Sequence, residues 1–135
     1  MAGPLEGIRV VDLTQVVSGP LATMLLADQG AEVVKVEPLG IGGDVTRLPS
    51  FAKAGISALF VNNNRGKRSL AVDLTKEEGK QIVIDLVEQA DVFIQNFRPG
   101  AIERLGLSYD ELKVVNPKLI YCSISGFGPD GPYSD

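Results

Sequence analysis

The sequence of 135 residues contains no histidine and only one cysteine, Cys122. Without histidine, the chain cannot form a Ser-His or Cys-His catalytic pair within itself, nor a histidine-ligated zinc site, and we predict no metal site. A single cysteine excludes an internal disulfide and fits a reducing compartment, so we expect a cytoplasmic protein. Because Cys122 lies in an apolar run, we interpret it as a small packed side chain rather than a nucleophile.

The sequence also disfavours a membrane protein, a secreted protein and a nucleic-acid-binding domain. No apolar run reaches the length of a membrane span, and the first residues show no basic region followed by an apolar core, so we expect no membrane partner and no signal peptide. The net charge is −4, whereas a nucleic-acid-binding domain is strongly basic. Hydrophobic residues make up 44% and charged residues 22%, which is typical of one soluble globular domain.

Short apolar runs alternate with helical patterns along the chain. The predicted strands are Ile8–Leu13, Glu32–Glu37, Ser69–Leu74, Val92–Ile94 and Leu119–Ser125. This alternation predicts an α/β fold with a mainly parallel sheet covered by helices on both faces, because short helical connections join parallel strands. No helix follows the fifth strand, so we expect the sheet to be incomplete in this chain.

Capping signals and breaker residues locate the helices and loops between these strands. Pro20 suits the first position of a helix that Ser18 or Gly19 would cap and that Gly30 would end. The patterns Thr75–Glu78 and Ser108–Glu111 both predict capping boxes at helix starts. The stretch Pro38–Gly55 is rich in glycine and proline, which predicts a long loop.

The stretch Asp91–Gly106 contains the strongest candidate for a binding site. Its apolar strand gives way abruptly to amide and guanidinium side chains, and open α/β sheets bind ligands where strands end in this way. Arg98 and Arg104 bracket the turn Pro99-Gly100. Two guanidinium groups on one loop suit a phosphate-bearing ligand, because each makes bidentate hydrogen bonds to anionic oxygens. The alternative, that both arginines are solvated surface charges, stays open from the residues alone.

Two other segments could contact an anionic ligand, and one carboxylate stands at a position that holds a ribose in some enzymes. The backbone N–H groups at Ser18-Gly19-Pro20 would attract an anion at a helix start. The loop Asn62–Arg68 carries three cations, and it either lies beside an anion or forms a solvated turn. Glu37 stands where a carboxylate holds a ribose in dinucleotide enzymes, but the Gly-x-Gly-x-x-Gly signature is missing, so we do not expect an NAD site.

Seven of these segments, taken in order, resemble one known family. They are Gly7–Thr14, Ser18–Pro20, Leu26–Glu37, Asn64–Ser69, Asp91–Gly100, Arg104–Gly106 and Ser125–Pro132. Along the whole chain they are similar to the N-terminal part of class III CoA-transferases, which include formyl-CoA transferase, the carnitine and bile-acid CoA-transferases and α-methylacyl-CoA racemase. Members of that family are much longer, so the resemblance implies that residues 1–135 are the N-terminal portion of a larger CoA-binding domain.

The resemblance implies a Rossmann-like domain that binds coenzyme A over the carboxyl ends of its strands, in a homodimer of two interlocked subunits. It implies that Val17 and Ser18 meet the pantetheine and that Val72, Asp73, Leu74 and Thr75 pass near the adenosine. It also implies that Asn96, Phe97 and Arg98 contact the CoA chain and that Arg104 contacts the phosphates. Two positions depart from the family pattern. Pro38 stands where many relatives carry a basic residue against the adenine, and Thr75 stands where some carry lysine, although Lys76 is adjacent.

The implied reaction is the transfer of CoA from an acyl-CoA to a carboxylate acceptor through a catalytic aspartate. This nucleophile would attack the thioester to give an acyl–aspartyl anhydride and then an aspartyl–CoA thioester. By family position it lies beyond Asp135, so residues 1–135 alone are expected to be inactive. Two alternatives stay open, namely a racemase on the same scaffold and a CoA-binding module without activity.

Overall fold

Five parallel strands and five helices alternate in the computed structural model, which describes residues 3–49, 52–128 and 130–134. The strands are β1 (Arg9–Asp12), β2 (Glu32–Pro38), β3 (Arg68–Val72), β4 (Val92–Gln95) and β5 (Ile120–Ser123). The helices are α1 (Ser18–Asp28), α2 (Ala58–Asn64), α3 (Glu77–Glu88), α4 (Ala101–Arg104) and α5 (Tyr109–Val115), with a 3₁₀ turn at Val45–Arg47. The predicted α/β fold is confirmed.

The order of the strands determines where a ligand would bind. Across the sheet the order is β3-β2-β1-β4-β5, and every neighbouring pair is parallel. The chain therefore moves outward from β1 to β3 and then crosses to the other side of β1 to form β4. The connections that leave β1 and β4 diverge, so a crevice opens between their carboxyl ends, and this is the usual ligand position in open α/β sheets.

Successive strand residues face opposite sides of the sheet, which gives the protein two cores. One core contains Val11 and Phe93 and packs against α3, α4 and α5. The other contains Val10 and Ile94 and packs against α1. The prediction that helices cover both faces is therefore confirmed, and short apolar strands are typical of a sheet covered in this way.

The coverage ends at β5, on the side of the sheet that carries α1. Ile120 is 63% exposed there, and Cys122 is half-buried at the margin of the second core. Apolar surface therefore remains open beside the last strand, as we expect of a sheet that is incomplete in this chain.

Two of the predicted helix starts are wrong and one is confirmed. Ser108 and Glu111 form the predicted capping box at the start of α5. The box at Thr75–Glu78 does not form, because the Thr75 hydroxyl donates to Asp73 at 2.7 Å instead and α3 begins at Glu77. Local side-chain hydrogen bonds of this kind compete with helix caps.

Helix α1 also begins differently from the prediction. It starts at Ser18 itself, after Val17, so neither Ser18 nor Gly19 acts as a side-chain cap. Gly19 is needed for another reason, since a Cβ atom there would lie 2.3 Å from the Thr14 side chain. Pro20 still falls within the first turn, where its missing N–H leaves no helical hydrogen bond unmade.

Candidate functional site

The crevice at the carboxyl edge of the sheet is closed at its base by side-chain amides. The Asn96 carboxamide accepts from the Gln15 N–H and donates to the Gln15 carbonyl, each at 2.8 Å, so it ties the loop after β4 to the loop after β1. Buried Gln95 donates to Ser123 at 2.8 Å and accepts from the Phe97 N–H at 2.8 Å. The loops after β1, β4 and β5 therefore form one connected surface.

Two adjoining cavities lie on this surface. The first, here called the apolar cavity, has a volume of about 300 Å³ and is lined mainly by apolar side chains from the ends of β1, β2 and β3, together with Phe97. The second, here called the Arg98 cavity, has a volume of about 430 Å³ and lies between the loops after β4 and β5. Because Phe97 lines both, a single elongated ligand could occupy the two together.

Eight of the ten predicted site residues line these cavities. Val72, Asp73, Leu74, Thr75 and Phe97 line the apolar cavity. Ser18, Asn96, Phe97 and Arg98 line the Arg98 cavity. The other two, Val17 and Arg104, line neither. Val17 is an exposed neighbour of Ser18, and the Arg104 guanidinium lies close over Gly100, back toward the turn that follows Arg98.

Two arginines on this side of the crevice have no partner in the part of the chain that the structure describes. Arg98 and Arg104 are both exposed, and within residues 3–49, 52–128 and 130–134 neither side chain forms an ion pair or a hydrogen bond. Other arginines are paired, such as Arg65 with Asp28 and Arg68 with Glu32. Two guanidinium groups thus remain available to an anionic ligand.

The segment Asn62–Arg68, predicted as a loop, spans the end of α2, a short turn and the first residue of β3. It is neither a ligand-facing loop nor a simple solvated turn, which corrects the sequence interpretation. Its Lys67 is buried and donates to Asp12 at 3.0 Å, while Thr23 donates to the same carboxylate at 2.7 Å. Burial lowers the pKa of Lys67, although the charge of Asp12 opposes that shift. The lysine is a structural cation, because it joins this loop to the end of β1.

Glu37 is occupied by other side chains and cannot hold a ribose. Arg47 donates to it through Nε at 2.7 Å and Nη2 at 2.8 Å, and the Ser69 hydroxyl and the Asp44 N–H donate at 2.7 and 2.9 Å. Burial alone would raise the pKa of Glu37, but these hydrogen bonds and the charge of Arg47 lower it to about 2. Glu37 is therefore a structural carboxylate that joins β2 to the 3₁₀ turn and to β3.

The described residues contain neither a metal-binding cluster nor a membrane-spanning helix. In the described part of the chain, no group of three or more His, Cys, Asp or Glu residues could hold a metal ion. No helix there is both long and apolar enough to cross a membrane. Asp135, beyond which the catalytic aspartate is expected, lies outside the described residues.

The fold and the site define an α/β domain with a crevice, bordered by the exposed guanidinium group of Arg98, at the carboxyl edge of a parallel sheet. The model of CoA-transferase family III matches residues 5–135, and the chain belongs to that family. This agrees with the resemblance found in the sequence, because the matched range includes all seven segments that carry it.

Individual relatives support the same assignment. The succinate–glutarate CoA-transferase of Agrobacterium fabrum is 50% identical over 98% of this chain and 34% of its own length. The formyl-CoA:oxalate CoA-transferase of Streptomyces avermitilis is 46% identical over 100% of this chain and 32% of its own length. The crystal structure of a CAIB/BAIF family protein from Brucella suis matches with a TM-score of 0.90 at 46% identity, covering 99% of this chain and 36% of that one. The chain spans about a third of the length of these relatives and corresponds to an N-terminal part of them.

Proposed function

We propose that this chain supplies the CoA-binding surface of an enzyme that transfers CoA from an acyl-CoA to a carboxylic acid. One observation carries the proposal. Arg98 presents an exposed guanidinium, with no partner in the described part of the chain, to a cavity at the carboxyl edge of the sheet. The pyrophosphate and ribose phosphate of CoA are the kind of anion that such a group binds well.

The two cavities would hold different parts of a CoA molecule. The apolar cavity would hold the adenosine, next to Val72–Thr75. Pro38 and Leu39 also line it, so the adenine would be held by burial against apolar side chains in place of the basic residue that relatives carry at position 38. Because the loop bearing Arg98 borders this cavity through Phe97, both phosphate groups would lie within reach of guanidinium groups.

The rest of the CoA chain would follow the connected loops. Val17 and Ser18 would meet the pantetheine, and Arg104 would bind a phosphate from above Gly100. Asn96 uses one donor and one acceptor on Gln15, which leaves one amide hydrogen and one carbonyl lone pair for the CoA chain. Asn96 would then both hold the crevice together and contact the ligand.

The chemistry would be completed by an aspartate beyond Asp135, which would exchange acyl and CoA groups through covalent intermediates. Relatives named for succinate and glutarate, or for formyl-CoA and oxalate, support a carboxylic acid as the acceptor. We also propose a cytoplasmic homodimer. Exposed apolar side chains away from the two cavities support a subunit contact, since Ile56, Val114 and Ile120 are each more than 60% exposed, and the single cysteine fits a reducing compartment.

Isothermal titration with CoA tests this proposal in the intact protein. Arg98→Gln should weaken CoA binding by about tenfold or more, because a charge-assisted hydrogen bond is lost. Arg68→Gln is the matched control. It removes the same charge from an exposed arginine at the start of β3, on the opposite edge of the sheet, and should change the affinity by less than about twofold. Equal effects of the two substitutions, or no binding by the wild type, would contradict the proposal.

A further inference from the structure

The loop after β1 contains a residue in an unfavourable backbone conformation. Val16 has a φ of 72°, in the left-handed region that β-branched residues strongly avoid. Its side chain is 46% exposed, so packing of that side chain against a core does not hold it there. A strained residue persists only where its surroundings fix it, and such residues cluster at functional sites.

Hydrogen bonds hold the loop from two sides. On one side, Asn96 clamps the residue before Val16. On the other, the Lys35 ammonium donates to the Thr14 carbonyl at 2.7 Å and pairs with the Asp44 carboxylate at 3.0 Å. The Val16 N–H in turn donates to both oxygens of Asp44, at 3.3 and 3.4 Å. Asp44 thus connects the strained residue to a buried cation.

Asp44 is itself fixed and hidden from any ligand. It is 1% exposed, and it accepts from the Thr46 N–H at 2.9 Å and the Thr46 hydroxyl at 2.8 Å. Burial alone would raise the pKa of Asp44, but the hydrogen bonds from Thr46 and the charge of Lys35 lower it. The carboxylate therefore stays ionised and keeps a single orientation.

We propose that Asp44 is a positioning residue that holds Val16 in its left-handed conformation and thereby presents Val17 and Ser18 to the CoA chain. The inference rests on the proposed function, because Ser18 lines the Arg98 cavity. Without this anchor, the backbone at Val16 relaxes toward negative φ and turns the next two residues away from the cavity. Asp44 would then govern CoA affinity without touching CoA.

Asp44→Asn in the intact protein is the direct test. The asparagine keeps the size and the oxygen that Thr46 needs, but it can present an amide donor to Lys35 and to the Val16 N–H. We expect the dissociation constant for CoA to rise by about tenfold, and hydrogen exchange of the segment 14–18 to accelerate by about tenfold or more. The second readout reports on the loop even when no CoA is present.

Asn116→Ala controls for general loss of stability. Asn116 donates to the carbonyl oxygens of Val87 and Ala90 at the opposite edge of the sheet, so its removal destabilises the fold away from the loop. It should leave both the CoA affinity and the exchange of residues 14–18 within about twofold of the wild type, because distant sites act independently.

A double-mutant cycle with Val16→Gly tests the mechanism itself. Glycine adopts positive φ at little steric cost, so an anchor that serves to hold a strained valine is needed less in that background. The effect of Asp44→Asn on CoA affinity should fall from about tenfold to about threefold or less when Val16→Gly is also present. An undiminished effect would overturn the inference, as would unchanged exchange of residues 14–18 in Asp44→Asn.

Two further outcomes separate this inference from the proposed function. If the wild type binds no CoA, the proposed function fails, and with it the claim about affinity, whereas the exchange readout still decides whether Asp44 fixes Val16. If Asp44→Asn does not fold, Thr46→Val carries the test, because it keeps the volume and charge and removes only the hydroxyl that orients Asp44. That variant should weaken CoA binding by about threefold, and unchanged affinity would overturn the inference.

Discussion

The two halves of the carboxyl edge of the sheet differ in whether their charged side chains are buried and paired or exposed. On the half formed by β1, β2 and β3, the charged groups of Asp12, Lys35 and Glu37 are buried, and each has a partner of opposite charge. On the half formed by β4 and β5, Arg98 and Arg104 are exposed and have no such partner among residues 3–49, 52–128 and 130–134. The charges of one half therefore connect segments of the fold, whereas the two guanidinium groups of the other half are exposed to solvent.

The buried pairs are best understood as connections between segments. Lys67 joins the loop before β3 to β1, and Arg47 joins the 3₁₀ turn to β2. A buried ion pair adds little net stability compared with apolar side chains of the same size, but losing one partner is costly. The paired half therefore forms a frame with a fixed shape, and the crevice that the unpaired half completes can keep its geometry while empty.

The largest expected effect comes from breaking a pair in the frame. Lys67→Met leaves the Asp12 carboxylate buried without its cation, and we expect the free energy of unfolding to fall by about 3–5 kcal/mol. Urea denaturation of the intact protein measures this change. Arg65→Met removes a cation of the same loop from an exposed pair with Asp28 and should cost less than about 1 kcal/mol.

The double variant Asp12→Asn/Lys67→Met tests whether the loss of stability comes from the unpaired charge of Asp12. Removing both charges leaves neither one buried alone, so the double variant should be more stable than Lys67→Met by itself. A double variant that is less stable than Lys67→Met would show that the lysine stabilises the fold through its stem or its other hydrogen bonds. The distinction between the paired half and the unpaired half would then lose its basis.

A smaller effect is expected from lowering the pH. Because the pKa of Glu37 is about 2 when folded and 4.5 in its ordinary state, its stabilising contribution is complete above pH 4.5 and is lost as the pH falls toward 2. The whole contribution is on the order of 3 kcal/mol. In Glu37→Gln, the free energy of unfolding should therefore decrease less steeply between pH 4.5 and 2 than in the wild type. Parallel curves for the two proteins would contradict the prediction.

The fold was predictable from the sequence because its signals are local. Strand-length apolar runs, separated by helical patterns, determined the parallel sheet and the crevice at the carboxyl edge. The chain segment with Asn96, Phe97 and Arg98 could be located for the same reason, since polar residues directly follow an apolar strand. These features depend on neighbours within a few positions of the chain.

The buried frame was not predictable because its partners are distant in the sequence. Lys67 bonds to a carboxylate 55 positions away, and nothing in the polar stretch around it indicates burial. One local pattern does indicate part of the frame. The pattern Asp-x-Thr occurs at Asp12–Thr14, Asp44–Thr46 and Asp73–Thr75, and in each the aspartate accepts from the N–H and the hydroxyl of its threonine. The pattern therefore marks turns at the carboxyl edge of the frame.

Two of these turns differ in whether their aspartate is buried and paired, so they separate the effect of the turn from the effect of the ion pair. Asp12 is buried and bonded to Lys67, whereas Asp73 is half-exposed and, among the described residues, its carboxylate accepts hydrogen bonds from Thr75 alone. Asp12→Asn should lower the urea midpoint of unfolding by at least about 1 M, while Asp73→Asn should shift it by less than about 0.3 M. Comparable shifts would mean that the turn itself, rather than burial and pairing of its aspartate, stabilises this edge of the sheet.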